Sequence, residues 1–202
     1  MKKSVVIPTL MLIIMLTACG NKLPPSIGVS ELYDRESQSF VIRGRTAGES
    51  LEEVLNDLGT SLTEQVQAGP AQMVSENGEY TYGYPSSDGE YRLMPEEPDV
   101  TIGGIPARTA CIFYHDKLIG VKYVMDFESM SESRGQKLLD KLRTELKEEY
   151  NGMEQDEWHW YSENSEGETS MLNLVIAQEG GLFAELNVYL NTRYYQPAVM
   201  RI

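Results

Sequence analysis

The sequence predicts an α+β fold, with helices packed on one face of a mainly antiparallel sheet. Apolar residues recur at helical spacing in two segments, near residues 51–58 and 132–150. Between and after these segments, apolar and polar residues alternate with the period of half-buried strands. Short turns join several of these strands, as in antiparallel hairpins. Together, the two helical segments and the intervening strands indicate one sheet with its helices on one side.

The first helix is predicted to begin after Ser50. Ser50 and Glu53 have the spacing of a capping box, in which each side chain bonds the other residue's backbone amide. Gly59 stands where a left-handed residue ends many helices. The residues at helical spacing between these signals predict one buried face: Leu51, Val54, Leu55 and Leu58. A further turn or short helix is predicted from Ser61 to Glu64, ended by Gly69-Pro70.

An aromatic strand and two apolar strands follow. Residues 79–84 alternate, which places the three tyrosines on one side, and a loop is predicted from there to about Pro98. Residues 107–114 and 118–127 predict two strands joined by a tight turn at residues 115–117. In the second strand, alternation predicts one buried face: Ile119, Val121, Tyr123, Met125 and Phe127.

The second helix and three strands complete the pattern. Residues 129–132 resemble another capping box, and the helix is predicted to end near Asn151-Gly152. Its apolar stripe comprises Leu138, Leu139, Leu142, Leu146 and Tyr150. Strands are predicted at residues 157–162, 171–178 and 182–190. Residues 46–128 and 129–192 therefore look like two tandem helix-then-strands repeats, although chance could produce the same pattern.

The first residues form a leader. A basic start at Lys2 and Lys3 precedes an apolar stretch that is shorter than the roughly 20 residues of a membrane-spanning helix. The sequence Leu16-Thr17-Ala18-Cys19 resembles the lipobox of bacterial lipoproteins, which implies acylation of Cys19 after cleavage and anchoring on the outer face of the cell membrane. The alternative is an ordinary signal peptide with a coincidental cysteine. We therefore expect a signal peptide at 1–18, a lipidated tether at 19–38 and a single domain at 39–202.

The formal net charge is -14, which excludes the basic footprint of a nucleic-acid-binding protein. An acidic exterior also repels anionic lipid headgroups, so we expect the acyl anchor to hold the protein at the membrane. The acidic exterior could attract a cationic partner, or it could simply be a solvated surface.

Catalytic and metal chemistry find little support in the sequence, and we expect no catalytic residues, no metal and no cofactor. Cys111 lies in an apolar strand, where a free cysteine usually acts as a small hydrophobic residue rather than as a catalytic thiol. Glu157 and His159 could form a weak metal pair, or His159 could be a plain surface histidine. The Gly103-Gly104 pair lacks the lysine and third glycine of a phosphate loop and predicts a bend before a strand.

The aromatic strands have the greatest binding potential. Five residues form the candidate binding surface: Tyr80, Tyr82, Tyr84, Trp158 and Trp160. Large amphipathic side chains dominate contact energies, so these could form a platform for a peptide or glycan. The alternative is that both aromatic faces line the core beneath the helices.

The segment from Gly48 to Gly59, followed by an aromatic strand, resembles two groups of proteins. They are the small SmpA/OmlA lipoproteins of outer-membrane assembly and the β-lactamase-inhibitor-protein modules. The resemblance implies a noncatalytic binding or scaffold protein that offers a sheet surface to a partner. We therefore expect a membrane-anchored binding module with a protein partner in the envelope; the alternatives are a lipoprotein that captures a small ligand or glycan and, less favoured, an envelope hydrolase.

Overall fold

The computed structural model describes residues 24–42, 44–65, 72–75, 78–83, 91–177 and 181–190. The predicted signal peptide, the predicted lipid attachment at Cys19 and the candidate residue Tyr84 lie outside these ranges. The strands and α helices of the described ranges follow in chain order: β1 (Ser26–Ile27), β2 (Tyr33–Asp34), β3 (Ser39–Phe40), α1 (Leu51–Asp57), β4 (Leu62–Gln65), β5 (Gln72–Ser75), β6 (Tyr80–Gly83), β7 (Tyr91–Pro95), β8 (Val100–Ile102), β9 (Ile105–Tyr114), β10 (Lys117–Met125), α2 (Glu132–Glu149), β11 (His159–Glu163), β12 (Thr169–Ala177) and β13 (Phe183–Tyr189).

The predicted α+β fold with a large antiparallel sheet is confirmed. The sheet has the strand order β11-β12-β13-β10-β9-β7-β6-β5-β4, and every neighbouring pair on this path is antiparallel. At one side, β8 pairs with β9, and the short β1 adds to β8 in parallel. A separate hairpin joins β2 and β3.

One face of the sheet forms the main core, and the described helices contribute to it. Val54 of α1 and Leu139, Leu142 and Leu146 of α2 are buried there. They pack with inward residues of the central strands, such as Val121 and Leu186. On the opposite face a smaller cluster joins Ile112, Ile119, Met171 and Tyr189. The helices therefore bury an apolar stripe on one face, as the spacing predicts.

The helix α1 begins and ends where the sequence predicts. Ser50 Oγ accepts a hydrogen bond from the Glu53 amide, and the Glu53 carboxylate accepts one from the Ser50 amide at 2.6 Å. Gly59 adopts a positive φ of 65° just after the helix. The capping box predicted at residues 129–132 is wrong. The helix α2 begins at Glu132, and the side chain of its N-cap residue, Ser131, makes no capping hydrogen bond.

Two predictions in the first half are wrong. Residues 62–65 form a strand paired with β5 instead of a short helix. A segment this short cannot nucleate a stable helix by itself, whereas the neighbouring strand satisfies its backbone groups. The loop predicted up to Pro98 contains β7, which pairs with both β6 and β9. Because polar residues and prolines flank this short strand, alternation of apolar and polar residues is not evident there in the sequence.

The predicted buried face of β10 is interrupted by a bulge. The register against β9 shifts between Leu118 and Gly120. Val121, Tyr123 and Met125 point into the main core, but Ile119 joins the cluster on the opposite face. An extra residue in one strand reverses the alternation beyond it, so a strict period of two places Ile119 on the wrong side.

The boundary predicted between tether and domain lies too late in the chain. Residues 26–38 contain β1, a 3₁₀ helix at Val29–Leu32 and β2, all before the predicted start of the domain at residue 39. Leu32 is buried in the main core. We name residues 25–42 the N-terminal arm. The arm belongs to the folded domain because its apolar side chains fill space beneath α2.

The two helix-then-strands segments share their order but not their strand number. After α1 the main sheet receives six strands on its path, β4 to β7, β9 and β10, whereas α2 is followed by β11, β12 and β13. None of the described helices is long and apolar enough to span a membrane.

Candidate functional site

The candidate aromatic surface is largely buried. Tyr82 is 2% exposed and Trp160 is fully buried, whereas Tyr80 and Trp158 are half-buried and pack against the core. The two groups lie on β6 and at β11, with five strands between them in the sheet. These described residues therefore do not form one exposed platform, and the alternative that they line the core describes them better.

Trp160 belongs to an aromatic cluster beneath α2. Its ring lies 6.5 Å from that of Tyr150, which in turn lies 5.2 Å from Phe40 and 6.1 Å from Tyr33. The Tyr150 hydroxyl donates a hydrogen bond to the carbonyl of Val29. Burial raises the pKa of Tyr150 well above its usual range. This cluster fastens the N-terminal arm to α2 and to the edge of the sheet.

The possible metal pair is engaged in other contacts. Glu157 forms ion pairs with Arg143 and, at 3.6 Å, with Lys147. His159 Nδ1 lies 2.8 Å from both carboxylate oxygens of Asp156. The Arg143 guanidinium also lies 4.4 Å from the centroid of the Trp158 ring, a cation–π contact. Within the described ranges, no group of three or more His, Cys, Asp or Glu side chains could hold a metal ion.

An acidic groove opens near one end of the sheet. Its volume is about 590 Å³, and it lies between the turn after β7, the end of β10, the start of α2 and the start of β13. Five carboxylates and one guanidinium line it together with apolar side chains. The lining residues include Glu96, Glu97, Arg108, Asp126, Phe127, Glu128, Met130, Glu132, Leu182 and Phe183. We call this set the acidic groove.

Phe183 gives the acidic groove an exposed apolar side. It is 40% exposed, and so is Val175. The register that pairs Ala177 with Phe183 and Val175 with Glu185 makes Val175 and Phe183 diagonal neighbours on one face. That face lies opposite the helices. Large apolar side chains exposed side by side often mark a surface that contacts another molecule.

Gly135 of α2 packs against two apolar residues that line the acidic groove. A Cβ atom on this buried glycine of α2 would lie 2.7 Å from Leu182 Cδ2 and 3.0 Å from Phe127 Cδ1. Such distances are too short for ordinary van der Waals contact. The absence of a side chain at Gly135 therefore lets α2 approach two apolar walls of the groove.

A second concavity lies beside the N-terminal arm on the helix-bearing face. It encloses about 430 Å³, within the roughly 300–1,000 Å³ of small-molecule sites. We call it the arm cavity. Its lining residues are Pro25, Ile27, Ile42, Arg45, Leu58, Tyr80, Leu93, Asp99, Val100, Thr109, Cys111 and Tyr123.

The arm cavity combines an apolar wall with two charged residues. Arg45 Nη1 lies 2.8 Å from Asp57 Oδ2 and 3.5 Å from Glu49 Oε2, so its charge is already balanced. Asp99 Oδ1 accepts a hydrogen bond from the Thr109 amide at 2.7 Å. Although Asp99 is exposed overall, partial burial of its carboxylate raises its pKa. Among the described residues, neither Arg45 nor Asp99 belongs to a cluster of His, Cys, Asp or Glu side chains that could hold a metal ion.

Cys111 behaves as a small apolar residue in this cavity. Its thiol is buried and unpaired with another cysteine. Burial raises its pKa to about 12, so the thiol stays protonated at neutral pH. Because the thiolate is the reactive form of cysteine, this environment does not favour a catalytic nucleophile.

Comparisons of the chain with protein-family models, with curated proteins and with solved structures found no match. The resemblances to lipoproteins and to SmpA/OmlA and β-lactamase-inhibitor-protein modules therefore remain predictions.

Sequence reasoning did not anticipate either concavity. Their lining residues come from distant parts of the chain. Those of the arm cavity are spread between positions 25 and 123, and those of the acidic groove between positions 96 and 183. One signal was present for the groove. Glu96-Glu97 and the carboxylates at 126, 128 and 132 flank apolar residues, but nothing in their spacing shows that they converge.

Proposed function

We propose that the chain is a noncatalytic lipoprotein, anchored through Cys19 to the outer face of a bacterial membrane, that binds a protein partner of the cell envelope. The acidic groove is the observation on which this proposal rests. Phe183, which is 40% exposed, lines this groove together with five carboxylates and one guanidinium. Such a surface matches a segment with one or two apolar side chains next to Lys or Arg.

Two physical terms support such a complex. Burial of the Phe183 ring provides hydrophobic energy, since an aromatic side chain in a partner pocket often dominates binding. The carboxylates attract a basic segment and speed its approach, while excluding acidic ones. The Coulomb part of this attraction weakens at high salt, because mobile ions screen exposed charges.

The folded N-terminal arm supports the position of the domain close to the lipid. The strand β1 begins at Ser26, seven residues after Cys19, and pairs with β8. A lipid on Cys19 would hold the domain within about 25 Å of the bilayer surface, because an extended residue spans at most about 3.6 Å. A partner in or near the same membrane is then within reach.

Two measurements test the proposal separately. Mass spectrometry of the protein purified from its native membrane should show a diacylglyceryl group on Cys19; an unmodified thiol would overturn the anchoring. A photo-crosslinking residue at position 183 should join the protein to an envelope partner in living cells, through a segment that carries both apolar and basic residues. The same residue at Glu166, which is exposed elsewhere, is the control.

Charge reversal in the acidic groove tests whether the crosslink from position 183 depends on the groove's carboxylates. Glu96→Lys with Glu97→Lys should abolish the crosslink from position 183, and a matched pair at exposed Glu163 and Glu166 should leave it intact. Equal crosslinking from positions 183 and 166, or insensitivity to the charge of the groove, would contradict the proposed surface.

A further inference from the structure

The arm cavity has a mixed lining that includes Arg45, Tyr80, Asp99, Thr109 and Tyr123, but one of its walls suits a hydrocarbon chain. Ile27, Ile42, Leu93 and Val100 are buried side chains that face it, and Leu58 closes it from the end of α1. All five are aliphatic. A ligand with polar atoms along its length would lose hydrogen bonds to water against such a wall, whereas an alkyl chain gains from every methylene that leaves water.

The charges at the cavity select against an anionic head group. Among the lining residues that the structure describes, Arg45 is the one cation, and Glu49 and Asp57 already hold its guanidinium. Its side chain is only 14% exposed. Asp99 adds a further carboxylate at the exposed rim. The described charges at the cavity are therefore the Asp99 carboxylate and a guanidinium already paired with two carboxylates. A fatty-acid carboxylate would meet net repulsion from this set, and an uncharged ester would not.

The cavity also lies where lipid is available. Pro25 and Ile27 of the N-terminal arm line it, and Cys19 is six residues before Pro25. Six extended residues span at most about 22 Å. If Cys19 carries a diacylglyceryl group, as proposed above, both that lipid and the surrounding bilayer are within reach of the opening.

We propose that the arm cavity binds a single acyl chain of an uncharged lipid. A volume of about 430 Å³ holds roughly 14 methylene groups, if each occupies about the 30 Å³ of a liquid water molecule. The chain comes either from the lipid on Cys19 of the same molecule or from a neighbouring membrane lipid. In the first case one acyl chain remains in the bilayer, and a single chain gives only marginal, reversible membrane binding.

A photoreactive monoacylglycerol with a diazirine in its acyl chain tests this proposal on the full chain. The Cys19→Ser variant is illuminated with this probe, and labelled residues are located by mass spectrometry. We expect labels on peptides that contain residues 27, 58 and 93, and much less labelling by the matching diazirine fatty acid, which is anionic at neutral pH. No labelling of these peptides by either probe would overturn the proposal.

Three variants distinguish specific binding in the cavity from nonspecific adsorption of the probe. Leu58→Trp fills the cavity and should abolish its labelling, whereas Val175→Trp, on the opposite face, should not. Asp99→Lys should shift the preference toward the fatty-acid probe. Circular dichroism and the unfolding midpoint report whether each variant is folded. Labelling that survives in folded Leu58→Trp, or a preference unmoved by Asp99→Lys, would contradict the assigned site.

The wild-type protein distinguishes the two sources of the acyl chain. Much weaker labelling of lipidated wild type than of Cys19→Ser shows that the protein's own lipid occupies the cavity, since a short tether gives an effective concentration of about 1 mM. Equal labelling shows that the cavity draws on membrane lipid. An unmodified Cys19 in the mass spectrum refutes the anchoring proposal alone, because the labelling of Cys19→Ser does not depend on it.

Discussion

Truncation of Leu32 to alanine tests whether the N-terminal arm is part of the folded domain. Leu32 ends the 3₁₀ helix of the arm, is 1% exposed and packs in the main core. Its carbonyl accepts a hydrogen bond from the Val41 amide at 2.9 Å. If residues 19–38 were only a tether, as the sequence predicts, loss of this side chain would have almost no effect on stability.

The structure gives a much larger expected effect. Removal of a fully buried leucine side chain costs about 2–5 kcal/mol, and about 3 kcal/mol is a reasonable middle value. For a domain of this size, each kcal/mol lowers the melting temperature by roughly 2–4 °C, so we expect a fall of about 6–12 °C. With a urea m-value of about 2 kcal/mol/M, the unfolding midpoint should fall by about 1.5 M.

Urea unfolding followed by tryptophan fluorescence measures this change, because Trp160 contacts the aromatic cluster that holds the arm. Val175→Ala is the control, since this exposed valine should contribute within about 0.5 kcal/mol. A Leu32→Ala midpoint that coincides with that of Val175→Ala would refute the assignment of the arm to the domain.

Three further predictions follow from single residues. Native protein at pH 8 should resist alkylation of Cys111 by iodoacetamide, and denatured protein should react fully, because burial keeps the native thiol protonated; rapid native labelling would contradict this. Gly135→Ala should lower the unfolding free energy by about 1–3 kcal/mol through the clash with Leu182 and Phe127, and an unchanged melting temperature would show that the contact relaxes freely. The backbone hydrogen bond from Ser50 lowers the pKa of Glu53 below its unfolded value of 4.5, so its contribution to stability is present above that pH and is lost as the pH falls through the lower, folded pKa. Glu53→Gln should flatten this acid limb of a stability profile, and the Glu52→Gln control should not.

Local signals in the sequence predict the elements whose causes are local. The capping box at Ser50 and Glu53 and the glycine that ends α1 need only neighbouring residues, and both are present. The turn between β9 and β10 is similar: His115 and Asp116 take positive φ values of 48° and 58°, as a two-residue hairpin turn requires. Such features follow from backbone sterics and short-range hydrogen bonds.

Apart from the capping box at residues 129–132, which is local, the wrong predictions concern contacts between separate elements. The strand β4 exists because β5 lies beside it, and Ile119 changes face because of a bulge opposite β9. The N-terminal arm folds because Tyr33 and Phe40 reach Tyr150 of the second half of the chain. The contacts of the arm join residues more than a hundred positions apart, whereas β4 and the bulge depend on a neighbouring strand. The apolar period within a single segment contains neither kind of information.

The difference between local signals and tertiary contacts also explains which part of the candidate site can be predicted from the sequence. Tyrosines and tryptophans are enriched both at interfaces and in cores, so their alternation alone cannot decide between a binding platform and a packed face. In this protein, Tyr82 and Trp160 stabilise the fold. In the proposed complex, the energy for binding then comes from apolar groups that folding leaves in water. Phe183 is such a group, and the carboxylates that line the same groove add the charge that would make its contact selective.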